Sequence, residues 1–446
     1  MLCLIALLCS VVTTVLESMA VSVALPAISR DFDVPAATVT WVMGASQLII
    51  VALLLPMAAL GEVAGYRRVL LFSLAAFSCA SVVCKLAPSF PAIVEARMFQ
   101  AVGSAGSMSL GFAMLRTVFS DTRLGAAIGL MAATVAVTSS LGPTISGVII
   151  SMAGWREVFG LMVATGLTAL VIGAYAWPSA PPSGRRFDLA SAVLVAGMLV
   201  AALVVINGIA NGWSVPLLVA AALGFALALT AVLARSRGAA APVFPVDLLA
   251  RPVFALSICA SICAFTAQTL GFVLLPFYLV LGAGMTELQM AATLSVWPAA
   301  TAILAPIVGR LADRLPAGPT GAAGLAVQAA GFFLLAQVDE TMSALGIALR
   351  LAICGIGFAV FQTPNNRLIM LSAPRTRSGA ASGSLSLARQ FGRAIGTAIS
   401  AFALMAGPVA SLDALLAAAV IAALGAGASL GRTWAVRATS ATDSGE

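Results

Sequence analysis

Long apolar runs recur along the chain, each broken by a short turn of charged, glycine or proline residues. Fourteen of them reach about the 18 residues a membrane-crossing helix needs: 4–28, 40–60, 69–87, 91–114, 125–152, 157–177, 188–209, 214–234, 253–281, 288–308, 319–337, 342–362, 379–406 and 411–431. None shows the two-residue alternation of a half-buried strand. The loops are too short for a soluble domain. The pattern predicts an all-α integral membrane protein of about fourteen transmembrane helices.

Polar residues inside these runs form stripes. The first run has Glu17 at its centre, with Thr14, Ser18 and Ser22 at spacing four and Thr13 alongside. A charge at that depth costs about 2.5–3.5 kcal/mol on insertion scales. The stripe therefore faces a cavity or another helix. Two roles are open to Glu17: a protonated acid bonding helix to helix, or a proton-coupling group. In the fourth run Arg97, Gln100, Ser104, Ser107 and Gly111 share one face. Arg97 is the natural partner of Glu17, and Glu95 is the second acid within a run. Thr138, Gly142 and Ser146, with Gly147 and the bend at Pro143, give the fifth run a small-residue face for close helix packing. The thirteenth carries Ser382, Ser386, Arg389, Arg393 and Gly396 at helical spacing, and Arg350 lies in the twelfth. Arginines thus outnumber acids within the runs, which predicts a positively charged central cavity. Phe265, Gln268, Phe272, Trp297, Phe361, Gln362 and Asn365 are available to line it; for each, plain packing is the alternative.

Composition narrows the function. Of 446 residues 61% are hydrophobic and 9% charged, with mean hydropathy +1.09, against about 25% charged in soluble domains. The net charge of +7 does not argue for nucleic acid, because most basic residues sit in the short loops. With no His, a proton pathway has to use carboxylates. The seven Cys all fall in apolar runs, with no metal or disulfide spacing. No nucleotide-binding signature follows a strand, so the sequence gives no support for bound ATP as the energy source. The first run lacks the basic start of a signal peptide and reads as a retained span.

Loop charge sets orientation. Alternate loops and the C-terminal tail hold sixteen arginines, including Arg67, Arg68, Arg185, Arg186, Arg235 and Arg432; the opposite loops hold three basic residues, Arg30, Lys85 and Arg156. Both ends of the chain are expected inside. The turn Ala58-Ala-Leu-Gly-Glu-Val-Ala-Gly-Tyr-Arg-Arg68 after the second run is echoed by Gly309-Arg-Leu-Ala-Asp-Arg314 after the tenth. Such a repeat marks transporters built from two related bundles. The expected organisation is a six-helix bundle in 1–177, a linker with two extra helices in 178–252, a second six-helix bundle in 253–431 and a cytoplasmic tail in 432–446.

These motifs resemble those of the major facilitator superfamily, specifically its fourteen-span drug:proton antiporters, from about Leu16 to Ile399. Leu16–Pro26 is similar to that subfamily's first-span signature, with Glu17 for the usual Asp and Ser22 for the usual Asn. Ala58–Arg68 resembles the superfamily's loop signature, with Glu62 for Asp, Gly65 kept and Ala58 for Gly; Gly309–Arg314 resembles a truncated second copy. Trp41–Ser46 is similar to the start of the second span, and Arg97, Gln100 and Gly103 to the fourth-span signature. Thr138–Gly147 resembles the antiporter signature: Gly142, Pro143 and Gly147 match, while Thr138 and Ser146 replace Gly. Pro364–Asn366 and Ser378–Gly396 are similar to the subfamily too, except that Arg393 stands where Gly is usual.

The resemblance implies alternating access between the two bundles, with export of small amphipathic compounds driven by proton entry. Glu17 and Arg97 would couple the proton; Glu95, by its place in the fourth run, is the candidate for a second coupling acid. Gly61, Glu62, Gly65, Arg67, Arg68, Gly309, Asp313 and Arg314 would form the cytoplasmic gate. Ser18, Ser22, Gln100, Ser104, Phe265, Gln268, Phe272, Trp297, Arg350, Phe361, Asn365 and Arg389 are the expected cavity residues. It implies a non-enzyme without cofactor or nucleic-acid partner, monomeric in the bacterial inner membrane, with a periplasmic adaptor as a compatible partner. An importer or lipid translocator of the same fold is the alternative. The arginine excess predicts that anionic or neutral substrates are handled at least as well as cations. A periplasm-active reporter enzyme fused after Glu446 should be inactive; activity would reverse the orientation.

Overall fold

The computed structural model describes residues 2–118, 121–178, 189–210, 212–236, 244–311, 315–338, 342–373, 378–405, 407 and 413–443. Fourteen long helices account for most of them: α1 (Leu2–Asp31), α2 (Trp41–Ala64), α3 (Tyr66–Lys85), α4 (Phe90–Val118), α5 (Asp121–Ala153), α6 (Arg156–Ala176), α7 (Leu189–Ala210), α8 (Val215–Ser236), α9 (Pro252–Phe277), α10 (Glu287–Leu311), α11 (Ala317–Leu335), α12 (Ala344–Ser372), α13 (Ser378–Leu404) and α14 (Ala414–Asp443). Among the described residues, ten helices are long and apolar enough to cross a membrane. The turns between them follow local chemistry. Gly65, at φ 95°, ends α2 and lets the chain reverse directly into α3. Pro252 occupies the first turn of α9, where a missing N–H costs nothing.

Helices α1–α6 form one bundle and α9–α14 the other. The inserted pair α7 and α8 packs over the seam between α2 and α13, where Val195, Met198, Leu203 and Val232 meet Val51 and Ala394. The second seam joins α5 to α10. There a Cβ on Gly147 would lie 2.3 Å from the Ala291 Cβ and 3.0 Å from the Glu287 carbonyl, so only glycine permits this approach. Thr144 and Ser295 hydrogen-bond across the same seam, with their hydroxyl oxygens 2.7 Å apart.

The two ends of the molecule differ. At the arginine-poor end, where α1 finishes and α10 starts, one apolar core runs through both bundles, from Leu25, Ile28 and Phe159 to Leu274, Phe277 and Leu294. Arg30 is paired with Glu287 across the bundles there. The Glu287 backbone, then Arg30, hold its carboxyl below the usual carboxylate range despite partial burial. The latch therefore contributes above the ordinary Glu titration and is lost as pH falls through the lowered one; as an exposed pair it is worth about 0.2–1 kcal/mol. Towards the arginine-rich end the cores divide among the described residues, with Leu7, Leu70 and Met114 in the first bundle and Phe254, Phe358 and Ile369 in the second. The molecule is closed at its arginine-poor end.

Two boundaries differ from the sequence pattern. Helix α12 continues past 362, through Pro364 to Ser372; neighbouring helices can satisfy the backbone group that proline frees. Helix α14 continues past 431 to Asp443, so most of the expected tail is helical. Arg432, expected in solvent, is 1% exposed within the second bundle, where it donates to Ser257 Oγ at 3.1 Å and to Asn365 Oδ1. A Thr144→Cys/Ser295→Cys pair in a cysteine-free background should form a disulfide under mild oxidation. A pair that stays reduced would refute the α5–α10 seam.

Candidate functional site

The site is built from the stripes of α1 and α4. Glu17 and Arg97 are each 3% exposed. Arg97 Nη1 donates to Glu17 Oε1 at 2.9 Å, Nη2 to Ser46 Oγ at 3.0 Å, and Nε to the Val42 carbonyl at 3.2 Å. Nη1 also reaches Gln100 Oε1, and the Ser104 hydroxyl donates to Glu17 Oε2. Gln100 Nε2 in turn donates to Ser81 Oγ at 2.6 Å. Both carboxylate oxygens and all three guanidinium nitrogens are therefore partnered by residues of α1–α4. Close helix approach makes this possible: a Cβ on Gly103 would lie 2.3 Å from the Ser73 carbonyl. An isolated buried charge would cost several kcal/mol, and this density of hydrogen bonds is what offsets it.

A small cavity adjoins the pair. Glu17, Ser18, Ser46, Gln47 and Arg97 line it from the first bundle, and Gln390 of α13 closes it from the second. Gln390 Nε2 lies 3.0 Å from Met108 Sδ, and Arg393 Nη1 lies 3.4 Å from Ser18 Oγ and 3.5 Å from Gln390 Oε1. The cavity thus lies on the boundary between the bundles. Phe265 of α9 is buried behind Arg389 and Arg393, whose guanidinium carbons stand 5.6 Å and 5.8 Å from its ring centroid.

Several expected residues lie elsewhere. Glu95 is exposed on α4, away from the buried Arg97 face. Ser22 is buried but bonds its own helix at the Met19 carbonyl, 2.7 Å away. Phe272 and Trp297 do not line the cavity; with Phe332 they form an aromatic cluster with centroids 5.3 Å and 5.4 Å apart. Phe361 packs against Ala260 and Leu325 in the second bundle's own core. Arg350 caps helix carbonyls, donating to Leu334 O at 3.1 Å and to Gly346 O at 3.0 Å. Asn365 belongs to the separate Arg432 network and donates to Ser261 Oγ at 2.8 Å. Gln268 is half-buried on α9.

Only part of the expected gate lies within the described residues. Arg67 donates to the Ala174 carbonyl of α6 at 2.5 Å, inside the first bundle, and Arg68 is exposed. A Cβ on Gly61 would press on Leu110 of α4 at 2.4 Å. Gly309 lies within α10; the Glu62 side chain, Asp313 and Arg314 lie outside the described residues. In the antiporter stretch, Thr138 and Pro143 are buried, Gly142 faces Met19 of α1 at 3.3 Å, and Gly147 makes the α10 contact. Sequence reasoning left Gln47, Met108 and Gln390 out of the cavity and counted Arg393 towards its positive charge without placing it among the lining residues. Spacing signals which residues share a helix face, but not which faces meet across two bundles.

Residues 7–397 match the Major Facilitator Superfamily. The chain is 39% identical over 421 residues to the uncharacterized transporter YebQ of Escherichia coli (strain K12), covering 92% of this chain and 91% of that protein. It is 31% identical over 415 residues to the multidrug resistance protein Stp of Mycobacterium tuberculosis (strain ATCC 25618 / H37Rv), covering 91% and 76%. A crystal structure of a peptide transporter POT mutant in complex with alafosfalin superposes with a TM-score of 0.73 at 14% identity, covering 96% of this chain and 93% of that one, which shows the shared fold.

Removing one member of the ion pair strands the other. Arg97→Gln should lower stability by about 3–5 kcal/mol, and adding Glu17→Gln should restore part of that loss. Tryptophan fluorescence during thermal unfolding in detergent measures both. Additive losses would show that the two residues do not act as a pair.

Proposed function

Because the chain belongs to the Major Facilitator Superfamily, we propose that it is a proton-coupled transporter exporting small amphipathic compounds by alternating access. The family makes it a multi-pass membrane transporter rather than an enzyme. The observation that carries the coupling is the Glu17–Arg97 pair, buried beside a cavity to which both bundles contribute. The bundles of residues 1–177 and 253–431 would rock about the α5–α10 and α2–α13 seams, with 178–252 riding on one of them. We place the protein in a bacterial cytoplasmic (inner) membrane with both termini inside. The closed, arginine-poor end then faces outward and this conformation awaits cargo from the cytoplasm. Export, rather than transport in general, is supported by the resemblance of the Thr138–Gly147 stretch and by the likeness to the multidrug resistance protein Stp.

The chemistry needs one titrating group that senses the cargo. With Glu17 ionised, Arg97 and Ser104 hold it fixed and the cavity carries its negative charge. A proton arriving from outside neutralises it, weakens its hold on Arg97 and shifts the field at the cavity wall towards positive. A cargo held by the ionised state is released. Loss of the proton to the cytoplasm resets the site. No cofactor takes part in this scheme; the proton gradient supplies the energy.

A second reading, an importer of the same fold, is favoured by one observation. Arg393 stands one residue's width from Glu17, at Ser18. Protonating Glu17 would tighten an anion's hold on that arginine, so anion and proton would bind together and travel together.

Glu17→Gln should reduce proton-driven accumulation in inverted vesicles by about tenfold or more while keeping downhill exchange. Glu17→Asp should retain part of the activity. Pumping by Glu17→Gln with unchanged pH dependence would remove Glu17 from the coupling role. Counterflow in the same vesicles separates export from import.

A further inference from the structure

Just behind the cavity, where Arg393 reaches Ser18 and Gln390, α13 carries charge that the coupling scheme leaves unused. Arg389 and Arg393 lie four residues apart on α13, on one face of the helix, about 6 Å apart along its axis. Both guanidiniums lean on the same Phe265 ring. A ring face attracts a cation, but it brings no charge to cancel one, and like charges at this spacing repel. Among the described residues their hydrogen bonds are few. Arg393 makes two long ones, to Ser18 and Gln390, while Arg389 Nε is buried without a partner.

The charged groups that meet at this boundary are Glu17 on α1, Arg97 on α4, and Arg389 and Arg393 on α13. The one carboxylate is already engaged, with Arg97 on one oxygen and Ser104 on the other. Among the described residues, Arg389 and Arg393 have no carboxylate of their own. Across the cavity, Gln47 Oε1 is also buried and unpartnered. It offers an acceptor to a donor on whatever fills the space.

We propose that Arg389 and Arg393 form an anion-binding fork, so that the preferred cargo is an amphipathic molecule with a carboxylate or similar anionic head and an apolar or aromatic body. A planar carboxylate can accept from two guanidinium groups at once. The apolar body has Phe265 beside it, and Val21, Met43 and Ile50 along the cavity wall. The inference rests on the transporter reading above in its co-transport form, because an anionic head is held more tightly once Glu17 is protonated, and it names the substrate class of the same site.

The test uses three compounds that share one ring system and differ in charge: 2-naphthoate, 2-naphthamide and (2-naphthylmethyl)trimethylammonium. Each is assayed for saturable binding and vesicle transport with the full-length protein in phosphatidylcholine. The wild type should bind naphthoate most tightly. The naphthoate-to-naphthamide affinity ratio should fall about tenfold in Arg393→Gln and in Arg389→Gln. Arg393→Lys and Arg389→Lys, which keep the charge and the buried stem, should recover part of it. An unchanged ratio in the Gln variants, or a wild type that prefers the cation, overturns the inference while leaving a transporter in place. If either Gln variant fails to fold, the wild-type order and the Lys variants still decide. A wild type that neither binds nor moves any of the three overturns the transporter reading and this inference together. Repeating the wild-type titration with phosphatidylglycerol separates two sources of the same chemistry. Competition by that lipid assigns the fork to a lipid headgroup, and its absence to a free anionic solute; either result keeps the fork as an anion site.

Discussion

Everything near the middle of this molecule has to accommodate one carboxylate and one guanidinium held away from water. The pair draws donors and acceptors from four helices, and each demands a particular small or polar residue. Ser46 and the Val42 carbonyl come from α2, Ser81 from α3, Gln100 and Ser104 from α4. These contacts require the backbones to lie close, which is why Gly103 faces the Ser73 carbonyl and Gly106 the Ser73 hydroxyl. The first bundle is packed around its charges at least as much as around its apolar core. Its greasy surfaces, such as Phe72 and Phe99, face outward instead.

The second bundle solves a similar problem without an acid among its described contacts. Arg432 is buried against Ser257, Ser429 and the Asn365 side chain, close to the arginine-rich end. Neutral dipoles take the place that Glu17 holds in the first bundle. Every nitrogen of the Arg432 guanidinium has a partner, and none of these residues lines the cavity. The two buried arginines Arg97 and Arg432 therefore serve different ends: one shares a titratable partner, the other ties three helices together.

Much of this could be read from periodicity. Glu17 and Arg97 stood out because a charge in an apolar run is costly, and the spacing of Gln100 and Ser104 placed both on the Arg97 face. The same rule separates Glu95: two residues from Arg97, it cannot share its face, and it is exposed. What spacing could not supply was contact between distant segments. Arg393 meets Ser18 across 375 residues of sequence, and no local pattern encodes that. Aromatics misled for a related reason. Phe272, Trp297 and Phe361 suit a cavity wall and a packed core equally well by type, and only the neighbouring helices decide. The ends of α12 and α14 were misjudged because Pro364 and Arg432 break a helix or leave the membrane in isolation, whereas burial in the second bundle overrides both.

The contact at Gly147 has a mechanical consequence. It lies six residues from the end of α5 at Ala153 and twenty-six from its start at Asp121, or about 9 Å and 39 Å along a straight helix. A pivot so far off centre makes α5 an unequal lever. Moving the short arm's tip at Ala153 by about 2 Å would sweep the far end through about 9 Å. Glu287 itself touches the pivot through its carbonyl, so latch and fulcrum meet in a single residue. A small event at one face of the membrane is thereby geared up into a large one at the other.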